Sequence, residues 1–311
     1  TIPPSVTEIG KAAFAYCTSL KTITIPSSVT SIKASVFQGC FSLQRIEIPS
    51  SVTEIGESAF SQCLSLTKIE IPQSITIIDK LVFNKCKNLR KVNIPSTVTS
   101  IKDGAFQSCK SLTDNSFIIP NSVTSIGDVA FGKCKSLKHF SIPSSVTSIG
   151  DGIFQKCVSL TQVEIPSSIT SIGKCSFSKC RSLSQISIPL SVKSIGKYAF
   201  NECISLQKIM IPPSITIIED GTFHKCYELK LVLIPNGVTS IGNLAFSCCK
   251  KLEQIMIPYY VTNIGQCAFE FCSIKEITIP PFVNKIKKGT FGSCSSLTNI
   301  SIPSSVIFIG D

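Results

Sequence analysis

The chain has 311 residues, of which 43% are hydrophobic and 16% charged, with a net charge of +11 and sixteen cysteines. That balance excludes a disordered, highly charged chain. No apolar run reaches the length of a membrane-spanning helix, because a proline interrupts the sequence about every 23 residues.

The prolines reveal the organisation. Fourteen Ile-Pro pairs run from Ile2-Pro3 to Ile302-Pro303, spaced by 23 residues except for one step of 25 and one of 22. The repeating unit, as in Ile25–Glu47, reads I-P-x-S-V-T-x-I-G-x-x-A-F-x-x-C-x-S-L-x-x-I-x. A fixed period of this length specifies stacked coils, each unable to bury its apolar face alone. The usual length rule for counting domains does not apply to such a chain, and one repeat domain over 1–311 is expected.

Within one coil the elements follow in order. Leu20 to Pro26 reads as a short strand, with Ile23 and Ile25 on one face and Thr22 and Thr24 on the other. Proline ends the ladder and keeps the preceding isoleucine extended. Val29 and Ile32 return the chain as a second extended piece. The glycine that follows in most coils (Gly10, Gly56, Gly127, Gly150, Gly173, Gly196, Gly242, Gly265) suits a turn with positive φ. In Ala13-Phe14-x-x-Cys17-x-x-Leu20 the spacing of three predicts a short helical turn. A hydroxyl recurs two residues after the proline (Ser5, Ser28, Ser51, Ser74, Thr97, Ser122, Ser145, Ser168, Ser191, Ser214), placed to satisfy backbone groups. The longer step predicts a bulge at Thr113–Ser116 and the shorter one a tightened turn near Ser273.

Thirteen cysteines occupy the repeat position, from Cys17 to Cys294, and are expected to form a buried ladder of reduced thiols beside the phenylalanines. A linear ladder cannot offer one zinc four tetrahedral ligands. Parallel neighbours also reach the disulfide dihedral poorly. Cys175, Cys248 and Cys267 lie off the pattern and are the candidates for exposure.

The L-x-x-I-x-I-P strand and the A-F-x-x-C segment resemble the leucine-rich repeats of the BspA-like (Treponema-type) family along essentially the whole chain. The resemblance implies a leucine-rich-repeat solenoid, an α/β repeat of short parallel β-strands with short helical or 3-10 turns. It would form a curved right-handed superhelix of about 13 coils with strands on the concave side. It also implies adhesion or host-protein binding at a cell surface or after secretion. A cytoplasmic role is the alternative. The asparagine ladder of ordinary leucine-rich repeats is absent, so their ligand modes are not expected here. Because the chain starts and stops inside a repeat with no polar cap, a segment of a longer protein is expected.

Catalysis is not expected. His139 and His224 are the only histidines and lie coils apart, and the repeat glycines never gather into a phosphate loop. No metal or cofactor is expected. Two departures from uniformity carry the functional reading. Of the ten residues flanking Cys86, Cys109, Cys134, Cys157 and Cys180, eight are cationic: Lys85, Lys87, Lys110, Lys133, Lys135, Lys156, Lys179 and Arg181. Stacking would align them into a polyanion track for sulfated glycan or an acidic surface. Nucleic acid is not expected, since no aromatics are interleaved for base stacking. Outward strand positions, polar through most of the chain, become Met210, Leu231, Leu233 and Met256 in the later coils, with Tyr259 and Tyr260 alongside. Such a patch marks a protein partner site. A non-catalytic binding and adhesion scaffold is the primary expectation. A polyanion-binding adhesin and a stiff structural spacer are the alternatives.

Overall fold

The computed structural model describes residues 1–114 and 117–310. The chain divides into two compact units, Thr1–Leu160 and Thr161–Asp311. Both are stacks of the same coil, and the fold is a parallel-strand solenoid.

Each coil contributes two short strands. In the first unit Thr22–Thr24 pairs in parallel with Arg45–Glu47, and Lys68–Glu70 with Lys91–Asn93. The second extended piece stacks likewise, with Ser31–Ile32 on Glu54–Ile55 and Ile77–Ile78 on Ser100–Ile101 on Ser125–Ile126. In the second unit Lys208–Met210 pairs with Leu231–Leu233, and Ile217–Ile218, Ser240–Ile241 and Asn263–Ile264 form a three-stranded ladder. Equivalent residues face each other across every pair, so the repeat period becomes the sheet register.

That register builds the core. Phe14 to Phe154 in the first unit and Phe177 to Phe291 in the second form ring columns with spacings of 5.3–6.2 Å between neighbours. Rings such as Phe60 and Phe200 are wholly buried. Each contributes about 1.5–3 kcal/mol by leaving water. The hydroxyl column bonds upward as expected: Ser51 Oγ donates to Val29 O at 2.8 Å and Ser191 Oγ to Ile169 O at 2.7 Å.

The turn between glycine and cysteine differs from the expected helical turn. No α-helix is present among the described residues. Two residues per coil, four apart, adopt left-handed φ instead, as at Ser58 (58°) and Gln62 (62°). The cause lies in where the N–H groups go. Ser58 N, Phe60 N and Gln62 N donate to Lys80 O, Val82 O and Asn84 O of the next coil at 2.9, 3.0 and 2.7 Å. Ser61 N and Cys63 N close locally onto Ser58 O and Phe60 O. A helix would turn every N–H along its own axis and leave the next coil's carbonyls unpaired. The stack therefore overrides the local preference, holding residues in a region that ordinarily costs about 1–3 kcal/mol each.

The glycines are also explained differently. Gly56, Gly196 and Gly265 are not left-handed. A Cβ at Gly196 would lie 2.6 Å from Lys174 N, so glycine serves the close approach of two backbones.

The strand pattern fails at Phe117-Ile118-Ile119, Gln185-Ile186-Ser187 and Gln254-Ile255-Met256, where no strand forms. The 25-residue step lies immediately before the first of these segments and the 22-residue step follows the third. Nothing in the structure explains the break at Gln185–Ser187. At the short step the two-residue turn that follows the cysteine elsewhere is missing rather than tightened, and Ile274 still reaches the core. The expected bulge at Thr113–Ser116 falls partly on Asn115 and Ser116, which lie outside the described residues.

Candidate functional site

The apolar strip lies on the outer face of the second unit's sheet. Alternation along Lys208–Met210 and Leu231–Leu233 buries Ile209 and Val232 and turns the flanking residues to solvent. Met210 faces Leu233 in register, with Lys208 opposite Leu231. Exposure is 66% for Met210, 50% for Leu231, 52% for Leu233 and 84% for Met256. Met256 occupies the equivalent position one coil on, outside a paired strand.

A cluster of rings stands at the proline corner of the same unit. Tyr259 meets Tyr260 edge-on at 5.2 Å and Phe282 edge-on at 5.4 Å. Tyr260 and Phe282 are nearly parallel at 6.3 Å. All three are exposed. Tyr260 and Phe282, with Gly237, are where the hydroxyl column is interrupted, so aromatic surface replaces a structural bond.

The cationic positions divide by unit. In the first, Lys85, Lys87 and Lys135 are exposed and Lys110, Lys133 and Lys156 half-buried, and none pairs with an acid among the described residues. In the second, Lys179 and Arg181 converge on Glu202 at 3.1 and 3.2 Å. Partial burial works to raise the Glu202 carboxyl, but Lys179 and Arg181 outweigh it and hold it below the usual range.

Ladder cysteines from Cys40 to Cys272 are buried, whereas Cys17 is exposed and Cys294 half-buried, which departs from the uniform burial expected. The buried thiols from Cys40 to Cys157 and from Cys203 to Cys272 donate to the phenylalanine carbonyl of the preceding coil, as from Cys157 Sγ to Phe131 O at 3.1 Å. Burial pushes Cys86 and Cys157 up to about 12. Their thiols stay protonated and unreactive at neutral pH. Cys175, Cys248 and Cys267 are half-buried.

Two features escaped sequence reasoning. Asp114 accepts from Lys138 N and His139 N and meets His139 Nδ1 at 2.7 Å. It sits in the 25-residue step, where the repeat gives no template. Burial lowers His224, and Lys225 adds to the effect; its Nδ1 has no partner. Among the described residues no three His, Cys, Asp or Glu side chains gather as a metal site requires.

Parallel coils, a phenylalanine column and a regular outer sheet face define a leucine-rich-repeat scaffold. The chain belongs to the BspA type leucine rich repeat region family, whose model matches residues 1–113, 114–230 and 216–311. It is similar to a leucine-rich repeat protein from Bacteroides ovatus, with 31% identity, 93% of this chain and 83% of that chain covered and a TM-score of 0.79. It is also similar to a leucine rich cell surface protein from Faecalibacterium prausnitzii, with 27% identity over 91% of this chain and 88% of that one and a TM-score of 0.51. The pneumococcal vaccine antigen PcpA shares the fold at 21% identity, with 98% of this chain and 79% of that chain covered and a TM-score of 0.54. No curated protein matches the chain. No helix among the described residues is long and apolar enough to cross a membrane.

Proposed function

We propose that the chain is a non-catalytic scaffold that binds a protein through the strip of Met210, Leu231, Leu233 and Met256, bordered by Tyr259 and Tyr260. The observation that carries this reading is the exposure of all six, half or more of each side chain in water. Core formation does not call for apolar residues at these positions. The buried neighbours Ile209 and Val232 supply the inward face, and polar residues serve outward in the other strands. Leaving such a surface in water costs about 25 cal/mol per Å² relative to covering it. Methionine adapts to a partner's contours, and tyrosine adds a large rigid contact.

Placement at a cell surface or in secretion accords with the Faecalibacterium relative's description as a cell surface protein. The test is Leu231→Glu with Leu233→Glu, presented to an array of purified surface and extracellular proteins. The double variant should keep its melting temperature within about 2 °C, since exposed substitutions rarely exceed ~0.5 kcal/mol. It should also lose a protein that the parent retains. Retention of the same proteins by both chains would overturn the assignment.

A further inference from the structure

We infer that the lysines flanking the cysteines of the first unit form a second, separate binding site, whose ligand is a linear sulfated polysaccharide. Lys85, Lys133 and Lys156 precede their cysteines and Lys87, Lys110 and Lys135 follow theirs, so two rows of amino groups run up four coils. None of the six pairs with a carboxylate among the described residues, whereas Lys33, Lys68, Lys197 and Lys275 all do. Six like charges held together without counter-charges are unfavourable by themselves, and a polyanion relieves that repulsion.

The backbone beneath the rows is hydrogen-bonded from coil to coil. Lys85, Lys133 and Lys156 sit in left-handed conformations at 60°, 64° and 63°. Lys85 N and Lys133 N donate to Gln107 O and Gln155 O of the next coil, each at 2.7 Å. The buried rings beneath, Phe83, Phe106, Phe131 and Phe154, repeat at 5.4, 5.6 and 6.2 Å. The coils therefore recur at a near-constant rise and each of the four carries at least one of the lysines, which complements a polymer carrying anions along its length.

The surroundings select among polyanions. The other flanking residues are Ser108 and Val158, so no aromatic is available for base stacking, as single-stranded nucleic acid would use. The unit's large exposed apolar side chains, Tyr16, Ile77 and Ile118, lie in another coil or at strand positions, so the rows have no apolar group to insert into a lipid surface. All six cations are lysines. Lysine acts as a compact point charge, whereas the flat arginine fork favours bidentate pairing with carboxylate or phosphate.

The probe is a size-defined heparin oligosaccharide titrated against the full chain across a salt series, with single-stranded DNA and phosphatidylserine vesicles run in parallel. Six contacts predict an affinity that falls steeply with salt, each contact adding roughly 0.9 to the log–log slope on the scale known for DNA. Lys133→Gln, Lys135→Gln and Lys156→Gln together should flatten that slope and weaken binding roughly 100-fold at about 0.1 M salt. A control triple, Lys230→Gln, Lys251→Gln and Lys285→Gln, removes the same net charge and should leave the slope unchanged. N- and O-desulfated heparin should not bind. Failure of the parent to bind heparin, equal loss in the control, or tighter binding to DNA or vesicles would each overturn the inference. Unchanged melting of both triples keeps the comparison on binding. The Leu231→Glu, Leu233→Glu variant should retain heparin, so the two sites fail separately.

Discussion

Substituting Gly265 by alanine tests the account of coil spacing. The residue is not left-handed, so alanine fits its backbone and would add about 0.4–1 kcal/mol by restricting the unfolded chain. The geometry opposes that gain. A Cβ at Gly265 would lie 2.3 Å from Asn243 N, 2.4 Å from Gly242 C and 2.6 Å from Asn243 Cα, all backbone atoms with no rotamer to give way. Ordinary contact requires separation by about 1 Å, while Lys102, which has a Cβ at the same repeat position, keeps its equivalent of the Gly265 N to Ile241 O bond, to Ile78 O, at 2.8 Å, so the bond survives and the cost is overpacking. Overpacking costs roughly 1–3 kcal/mol. Set against the gain from restricting the unfolded chain, the net expectation is destabilisation by about 0.5–2 kcal/mol. Lys33, Asp79, Lys102, Glu219 and Lys287 occupy the same repeat position, which shows that a coil pair can relax locally and caps the penalty. Gly10→Ala is the internal comparison, because nothing lies within 4 Å of its added Cβ. It should be neutral or stabilising. Urea unfolding followed by circular dichroism, with m unchanged, gives both values. If Gly265→Ala stabilises as Gly10→Ala does, the close approach is not what selects glycine.

Three further outcomes follow from the same ladders. Ser35→Gly should stabilise by about 0.5–1 kcal/mol in thermal melts, because Ser35 has φ of 58°; in a helical turn the same change would destabilise. Gly237→Ser should restore the interrupted hydroxyl column, since the added side chain would approach Pro213 O and Ile215 O, and raise the urea midpoint by about 1 kcal/mol equivalent. Stability should fall as pH rises above about 8.5, where unfolded thiols ionise while Cys86 and Cys157, pushed up to about 12, stay protonated. Raised folded values make this stability complete below the unfolded pKa. Each such thiol should remove about 1.4 kcal/mol per pH unit, and urea midpoints that stay level from pH 8 to 10 would contradict thiol burial.

The inward architecture was legible in the sequence because every coil repeats it. Phenylalanine, cysteine and proline at fixed spacing can satisfy only a stack, and one period sets both register and core. The glycine-to-cysteine turn was misread because its apolar spacing of three matches a helix, while the bonds that decide it join residues such as Phe60 and Val82, 22 apart. A local window holds no trace of an N–H directed to the next coil. The interruptions were hard to read for the opposite reason. Asp114 bonding to His139, and Glu202 holding Lys179 and Arg181, are single events that no periodicity announces. The outward residues were legible only as departures from a pattern.

That contrast gives the departures their weight. In a stacked coil the inner positions are constrained twice, by the coil itself and by its neighbours, so they converge on Phe, Cys, Leu and Ile. Outer strand positions face water and are constrained by neither. Arg45 with Glu47 and Lys68 with Glu70 satisfy each other within one strand, which suffices for solubility. Leu231 and Leu233 flank a Val232 that is 5% exposed, so the strand already has its buried face and gains nothing in the core from them. The unpaired lysines stand likewise on turns whose folding is secured by the phenylalanine and cysteine beneath. The strip uses strand residues of the second unit and the lysines use turn residues of the first, so substitutions at one leave the other's backbone bonds intact. A scaffold of this kind can change what it binds coil by coil while its core stays the same.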